Sequence, residues 1–189
     1  MRKEILFITT NTHKVKEIRD LVEAEAKDLT IEHLEYDYPE RQYDETEEVA
    51  RESANYIRES RAIKRPFFIE DSGMFIHALK GFPGPYSAFV SKTIGNGGIL
   101  KLMAGKKGAE RRVTFKTVVA FCDTPEKSPI LFVGTVEGKI ADAMRGEGGF
   151  GFDPIFEYEG ATFAEMGAEA KTKVSHRSRA FRKLLDYLS

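Results

Sequence analysis

The sequence has little of several things that define other classes of protein. Its 189 residues include one cysteine and no tryptophan, and 29 basic residues nearly balance 30 acidic ones, for a formal net charge of -1. A single cysteine excludes an internal disulfide and a paired-cysteine metal site, so we interpret Cys122, in an apolar run, as a buried thiol in a reducing cytoplasm. A near-neutral chain has no overall field toward nucleic acid or membrane, so any polyanion site must be local.

Long apolar runs are absent as well. The first run, residues 5–8, is too short for a secretory signal, and no run approaches the length of a membrane span. We therefore expect no membrane contact. The apolar share of 41% and charged share of 31% are typical of soluble globular proteins. The length suits one domain, residues 1–189.

The first half of the sequence alternates short apolar runs with amphipathic stretches. Residues 5–9 and 29–36 predict strands, with a helix between them and a second helix after the acidic stretch 35–52. The next run, residues 67–70, predicts a strand that ends at Glu70 and Asp71, since Ser72 and Gly73 follow as turn residues.

The second half is richer in strand formers. Residues 113–123 and 130–140 predict an antiparallel hairpin, residues 146–154 a glycine-rich loop, and the segment after Ser175 a final amphipathic helix. These elements predict an α/β fold: a long mixed twisted sheet with flanking helices, in two lobes around a central substrate cleft.

The start of the first predicted helix is unusually basic and rich in hydroxyl groups. A helix N-terminus disfavours positive charge, whereas free N–H groups, hydroxyls and a lysine together suit a phosphate. A capped helix with a solvated lysine is the alternative that this segment alone leaves open. The candidate phosphate-binding residues are Thr9, Thr10, Asn11, Thr12, His13 and Lys14.

A second basic cluster precedes and begins the last helix. Seven basic or titratable residues occur there with no acid between them, which is also typical of a solvated face or, less so, of a single-stranded nucleic-acid site. Two basic helix starts in one small protein favour a polyphosphate ligand. The cluster consists of Lys171, Lys173, His176, Arg177, Arg179, Arg182 and Lys183.

Acidic residues offer a metal site. Carboxylates at a strand end are costly unless they are paired or bind a cation, and Mg²⁺ binds phosphates through one or two carboxylates and several waters. Asp71 is the candidate ligand, with Glu40 as a second acid. A turn-forming Asp71 and a solvated Glu40 are the alternatives.

The glycine-rich loop places aromatic rings between glycines. Such a loop lets a backbone approach a flat ligand while a ring stacks on it and a carboxylate binds its edge. A purine fits that description, and a plain turn with two buried rings fits the local pattern equally well. The candidate residues are Phe150, Gly151, Phe152 and Asp153.

Five motifs taken together resemble the inosine/xanthosine triphosphate pyrophosphatase family, and their order and spacing are kept over nearly the whole chain. They comprise residues 9–14 with Glu17, Glu70-Asp71-Ser72-Gly73, residues 81–87, Phe150-Gly151-Phe152-Asp153-Pro154 and Ser175-His176-Arg177.

The resemblance implies a homodimeric, Mg²⁺-dependent hydrolase that converts ITP, dITP or XTP to the monophosphate and pyrophosphate. It assigns the phosphates to residues 9–14 and Lys171. It makes Asp71 a metal ligand and the proton acceptor for the attacking water, with Glu40 as the second metal ligand and Ser72 beside them on the substrate. It places Phe150 on the base, with Asp153, His176 and Arg177 at its edge.

Other classes of function compete with this one. A nucleotide-binding sensor without hydrolysis would keep the basic helix starts but would not need Asp71 and Glu40. An RNA-binding module would use the last helix, with binding that salt weakens. A pyrophosphatase that prefers other modified nucleotides differs only in its substrates.

Overall fold

The computed structural model describes residues 3–39 and 41–189, so Glu40, the second candidate metal ligand, lies outside the described residues. The strands are β1 (Lys3–Ile8), β2 (Leu29–Leu34), β3 (Phe67–Ile76), β4 (Pro83–Gly84), β5 (Arg112–Cys122), β6 (Ile130–Ile140), β7 (Phe156–Tyr158) and β8 (Ala161–Thr162). The helices are α1 (Thr12–Glu25), α2 (Thr46–Ser60), α3 (Ser87–Thr93), α4 (Gly95–Leu102), α5 (Ala168–Val174) and α6 (His176–Leu188). Short 3₁₀ turns occupy His77–Leu79 and Gly108–Arg111.

The strands form one mixed sheet in the order β2-β1-β3-β5-β6-β7-β8, with β4 paired to β3. The β2-β1-β3 part is parallel, and the remaining pairs are antiparallel. The expected mixed sheet with flanking helices is confirmed, as is the β5-β6 hairpin. The division into two lobes stays a prediction.

Strand β3 corrects one expectation. The predicted break at Asp71-Ser72-Gly73 is wrong, because β3 pairs with β5 without interruption from Phe67↔Cys122 to Ile76↔Val113. A ten-residue ladder outweighs the turn preference of three residues. Glu70 and Asp71 therefore lie within a strand rather than at its end.

The register nevertheless keeps these two carboxylates at an edge of the parallel part. Strand β1 pairs with β3 only at Phe67 and Phe68 and ends at Ile8, so β3 runs on past the carboxyl end of β1. Residues that follow β1 thus lie near residues 70–72. Ligands of open α/β sheets bind at this position.

Helices cover the two faces of the sheet. The apolar sides of α1 and α6 share one cluster of buried residues with Phe7, Phe68 and Phe121, and the Phe7 and Phe68 rings stack with centroids 4.4 Å apart. Helix α2 packs on another cluster, around Ile69 and Val118. Because α1 and α6 lie on one face, their basic N-termini come together.

Three helices had no counterpart in the predicted elements. Helices α3, α4 and α5 have seven, eight and seven residues, and α4 contains three glycines, which disfavour a helix. Packing stabilises them, because Val90 of α3 and Ile99 of α4 belong to a third buried cluster and Val174 of α5 packs against it. None of the helices in the described ranges is long and apolar enough to cross a membrane.

Candidate active site

A cavity of about 700 Å³ opens beside the carboxyl end of β1. The structure brings to it every predicted site residue that it describes, with the exception of Thr12, which is exposed at the start of α1. The cavity therefore joins residues that lie up to 168 positions apart in the chain, from Thr9 to Arg177.

The start of α1 is capped by a side chain. The Oδ1 of Asn11 accepts hydrogen bonds from the backbone N–H groups of His13 (3.0 Å) and Lys14 (3.3 Å), and the N–H of Asn11 donates to Thr9 Oγ1. The helix is therefore capped, as in the alternative interpretation of this segment, but Lys14 is not a solvated lysine, because its Nζ lies against Glu70. Because Asn11 already occupies two N–H groups of the helix end, a phosphate at this segment would depend mainly on its side-chain donors, and the Lys14 ammonium among them already contacts Glu70.

Glu70 is a buried carboxylate held by cations. Its Oε2 accepts from the Nε of Arg177 at 3.0 Å, and Lys14 Nζ lies 3.4 Å from the same oxygen. Burial alone would raise the pKa of Glu70, but the charges of Arg177 and Lys14 outweigh it and lower the pKa. The hydroxyl of Ser72 donates to Glu70, and its oxygen lies 2.7 Å from Thr117 Oγ1.

Glu17, one of the motif residues, connects the two buried cations of the C-terminal segment. Its carboxylate accepts from Lys171 Nζ at 2.6 Å and also pairs with Arg177. Burial acts against the charged form, yet Arg177 and Lys171 lower the pKa of Glu17 to about 2. Sequence reasoning gave Glu17 no role, although its place in the motif was a signal.

Lys171 lies on the side of the cavity where the base is expected. Its Nζ lies 2.5 Å from Asp153 Oδ2 and 5.0 Å from the centroid of the Phe150 ring. Burial raises the pKa of Asp153 against the opposing effect of the Lys171 charge. Lys171 thus touches the residues assigned to the base, whereas the resemblance assigned it to the phosphates.

The Phe150 ring is in contact with other site residues. The imidazole of His13 stacks on it with centroids 5.1 Å apart and an interplanar angle of 14°, and the Arg177 guanidinium lies 5.4 Å from its centroid. The backbone N–H of Phe150 donates to Asp153 Oδ2 at 2.7 Å. This bond holds the glycine-rich loop. Because His13 already stacks on the Phe150 ring, a planar ligand must compete with His13 for that face of the ring.

His176 is buried between aromatic rings. Its ring lies 4.6 Å from that of Phe115, and its Nδ1 makes no hydrogen bond to any residue in the described ranges. Burial, followed by the charges of Arg177 and Lys171, lowers its pKa well below the usual 6.5. His176 is therefore neutral at pH 7, and the Nδ1 atom that lacks a partner among these residues is itself buried.

The basic cluster around α6 divides into two groups. Lys171, His176 and Arg177 line the cavity. The remaining four side chains bond to the protein's own surface groups. Arg179 donates to the Thr135 carbonyl and Lys183 to the Val133 carbonyl, while Lys173 pairs with Glu169 and Arg182 with Glu25.

Asp71 has the position that a metal ligand needs. It follows Glu70, so it points to the opposite face of the sheet, and it lines the cavity while remaining partly exposed. No group of three or more His, Cys, Asp or Glu side chains suited to a metal occurs among residues 3–39 and 41–189. A hard cation at Asp71 would therefore take most ligands from phosphate and water, which is the usual coordination of Mg²⁺. The residues fit this ion.

Further lining residues were not predicted. They come from the segment before α2 and from α3, where the sequence shows no chemical motif. They include Tyr36, Asp37, Tyr38, Gln42, Phe89, Ser91 and Lys92.

Known proteins resemble this chain over nearly its whole length. The model of the Ham1 family matches residues 5–187. The chain belongs to the Ham1 family. It is 48% identical over 186 residues to a protein of Methanosarcina mazei named dITP/XTP pyrophosphatase, with 97% of this chain and 96% of the relative covered. A protein of the same name from Thermococcus kodakarensis is 47% identical over 186 residues, with 97% of this chain and 96% of the relative covered.

Solved structures agree with this family membership. A HAM1 protein from Coxiella burnetii matches with a TM-score of 0.83 and 27% identity, covering 98% of both chains. The Ham1 protein of Staphylococcus aureus matches with a TM-score of 0.79 and 29% identity, also over 98% of both chains. The family resemblance and the fold are confirmed.

Proposed function

We propose that this Ham1-family protein hydrolyses ITP, dITP and XTP to the nucleoside monophosphate and pyrophosphate, and so removes deaminated purines from the nucleotide pool of the cytoplasm. The observation that carries the proposal is one cavity that joins the α1 start and Asp71 to Phe150, Asp153, His176 and Arg177. The names of the relatives in Methanosarcina and Thermococcus support the same activity.

The base side of the cavity favours a 6-oxo purine. Arg177 uses its Nε and both terminal nitrogens on Glu70, Glu17 and Ser72, and a guanidinium has five N–H groups, so at least one remains available. A 6-oxo group accepts from such a donor, whereas the 6-amino group of adenine would place donor against donor. Neutral His176 lies next to Arg177 in the chain and also lines the cavity.

The phosphate side would carry the reaction. Mg²⁺ held by Asp71, with Glu40 as a second acid, would neutralise charge on the phosphates. A water oxygen bonds to the α-phosphorus, the bond from that phosphorus to the bridging oxygen breaks, and pyrophosphate leaves with the bond's electron pair. Asp71 takes the proton from the water, and Lys14 binds the negative phosphate oxygens.

We expect Asp71→Asn to lower kcat by at least about 1000-fold, because the substitution removes the proton acceptor and weakens metal binding together. Pyrophosphate release from XTP with excess Mg²⁺ measures the change. Asp186→Asn, an exposed residue of α6, is the matched control and should retain wild-type turnover. Turnover of Asp71→Asn within tenfold of wild type would contradict the assignment.

The proposed enzyme is a homodimer. Eight large apolar side chains are exposed among the described residues, and four of them fall within residues 82–94: Phe82, Tyr86, Phe89 and Ile94. Such a concentration of exposed apolar groups is typical of an interaction surface.

Ile94→Asp should therefore shift the protein from dimer to monomer mass in light scattering, because a carboxylate would be desolvated in the interface. Tyr187→Asp places the same charge at an exposed aromatic residue of α6 and should leave the mass unchanged. A monomeric wild-type protein at micromolar concentration would refute the dimer.

A further inference from the structure

The cavity lining contains more acidic side chains than the basic motifs of the sequence suggest. Four Lys or Arg side chains and four Asp or Glu side chains line it, among the described residues. A nucleoside triphosphate brings about four negative charges, so cations that are not already paired matter most for its binding. The lining charges are Lys14, Lys92, Lys171 and Arg177, with Asp37, Glu70, Asp71 and Asp153.

Three of the four cations are paired within the site. Lys14 lies against Glu70, Lys171 pairs with Glu17 and Asp153, and Arg177 pairs with Glu17 and Glu70. Lys92 makes no ion pair or hydrogen bond to any residue in the ranges 3–39 and 41–189. Its ammonium is thus the lining cation whose charge no carboxylate already offsets.

Helix α3 directs Lys92 toward the cavity. Lys92 lies four residues after Ala88, and both line the cavity, so they share one face of the helix. Helical side chains lean toward the helix N-terminus, which carries the Lys92 ammonium back over Ala88. A methyl group there leaves room for the flexible stem.

We propose that Lys92 is a further substrate-binding residue, whose ammonium contacts the phosphate chain of the nucleotide from the α3 part of the cavity lining. This inference rests on the proposed function for its substrate. A lysine is suited to the task as a mobile point charge that reaches a phosphate without fixed geometry. Its removal should weaken phosphate binding without altering the base contacts.

The test uses inorganic tripolyphosphate as the probe, bound to the full-length protein with Mg²⁺ present and measured by calorimetry. Lys92→Ala should bind it about tenfold more weakly than wild type, as expected for one charge-assisted contact. Its affinity should also fall less steeply with salt concentration, because one cation fewer contacts the polyanion. Lys92→Arg, which retains the charge, should recover most of the affinity.

Lys101→Ala removes the same charge from an exposed position of α4 outside the cavity and should bind like wild type. Lys92 lies in the last turn of α3, where a cation also stabilises the helix. Thermal unfolding is therefore measured on all variants, and a loss of affinity without a fall in Tm supports binding. Lys92→Ala within twofold of wild type in affinity and in salt dependence would overturn the inference.

Hydrolysis separates this inference from the function on which it rests. When pyrophosphate release from XTP is measured, the KM of Lys92→Ala should be about tenfold higher than that of the wild type, with a smaller change in kcat. If wild type releases no pyrophosphate, the proposed function fails while the tripolyphosphate result still decides the role of Lys92. If wild type is active and the KM of Lys92→Ala is unchanged, the inference alone fails.

Discussion

Two carboxylates, buried Glu70 and half-buried Glu17, organise the site at the level of single residues. Glu17 and Glu70 lie between Lys14, Lys171 and Arg177 and hold these cations in fixed positions before a ligand binds. Removing one partner of such a group leaves a buried charge uncompensated, which costs several kcal/mol. We therefore expect these pairs to preorganise Arg177 for the proposed contact with the base, at the expense of the charge that it offers to a phosphate.

His176 gives the protein a stability that depends on pH. The pKa of His176 in the folded protein is lowered well below the usual 6.5. As the pH falls below about 6.5, His176 therefore takes up a proton in the unfolded chain but not in the folded protein. The free energy of unfolding should therefore fall as the pH drops below about 6.5, by up to about 1.4 kcal/mol per pH unit. Glu17 also has a lowered pKa, but its contribution is lost between about pH 4.5 and 2.

Urea unfolding at pH 7.5, 6.5 and 5.5 measures this slope. His176→Gln should lose it, whereas His77→Gln, at an exposed position, should keep it. An equal slope in wild type and His176→Gln would show that His176 does not supply the effect.

At the level of elements, patterns that repeat over many residues were predictable and local exceptions were not. The β5-β6 hairpin follows from two long runs of strand formers, and the α6 cap follows from Ser175, whose side chain accepts from Ser178. The break in β3 was wrongly predicted because its ladder with β5 is a long-range contact. Helices of seven or eight residues carry too short a pattern to detect.

A glycine on β6 sets how closely α6 approaches the sheet. A Cβ at Gly134 would collide with backbone atoms of His176 and Ala180. Gly134→Ala should therefore lower the free energy of unfolding by about 1–3 kcal/mol and raise the KM for XTP, since His176 and Arg177 would move with the helix.

Gly97→Ala serves as the control for Gly134→Ala. Gly97 lies in α4 with open space around it, so alanine there should be neutral or stabilise by up to about 1 kcal/mol. Chemical unfolding and steady-state kinetics of both variants test the argument. A Gly134→Ala protein as stable as wild type would contradict the close packing.

At the level of the whole molecule, topology assembles what the sequence separates. Lys14 and Arg177 meet at Glu70 because β1 and β3 are neighbouring strands and helices α1 and α6 pack on the same face of the sheet. Spacing along the chain contains no such information, so the local patterns alone predicted separate phosphate, metal and purine sites. The family resemblance joined them. Neither the local patterns nor the resemblance predicted which charged side chains are paired in the folded protein. Glu17, which pairs with two cations, and Lys92, which pairs with no described residue, are the examples.

The measurement that tests the central claim most directly is Mg²⁺-dependent product release from ITP, dITP, XTP, GTP and ATP under matched conditions. The account predicts pyrophosphate and the nucleoside monophosphate from the first three, with GTP and ATP much slower. Release of orthophosphate, comparable rates for ATP, or binding of ITP without any product would contradict it.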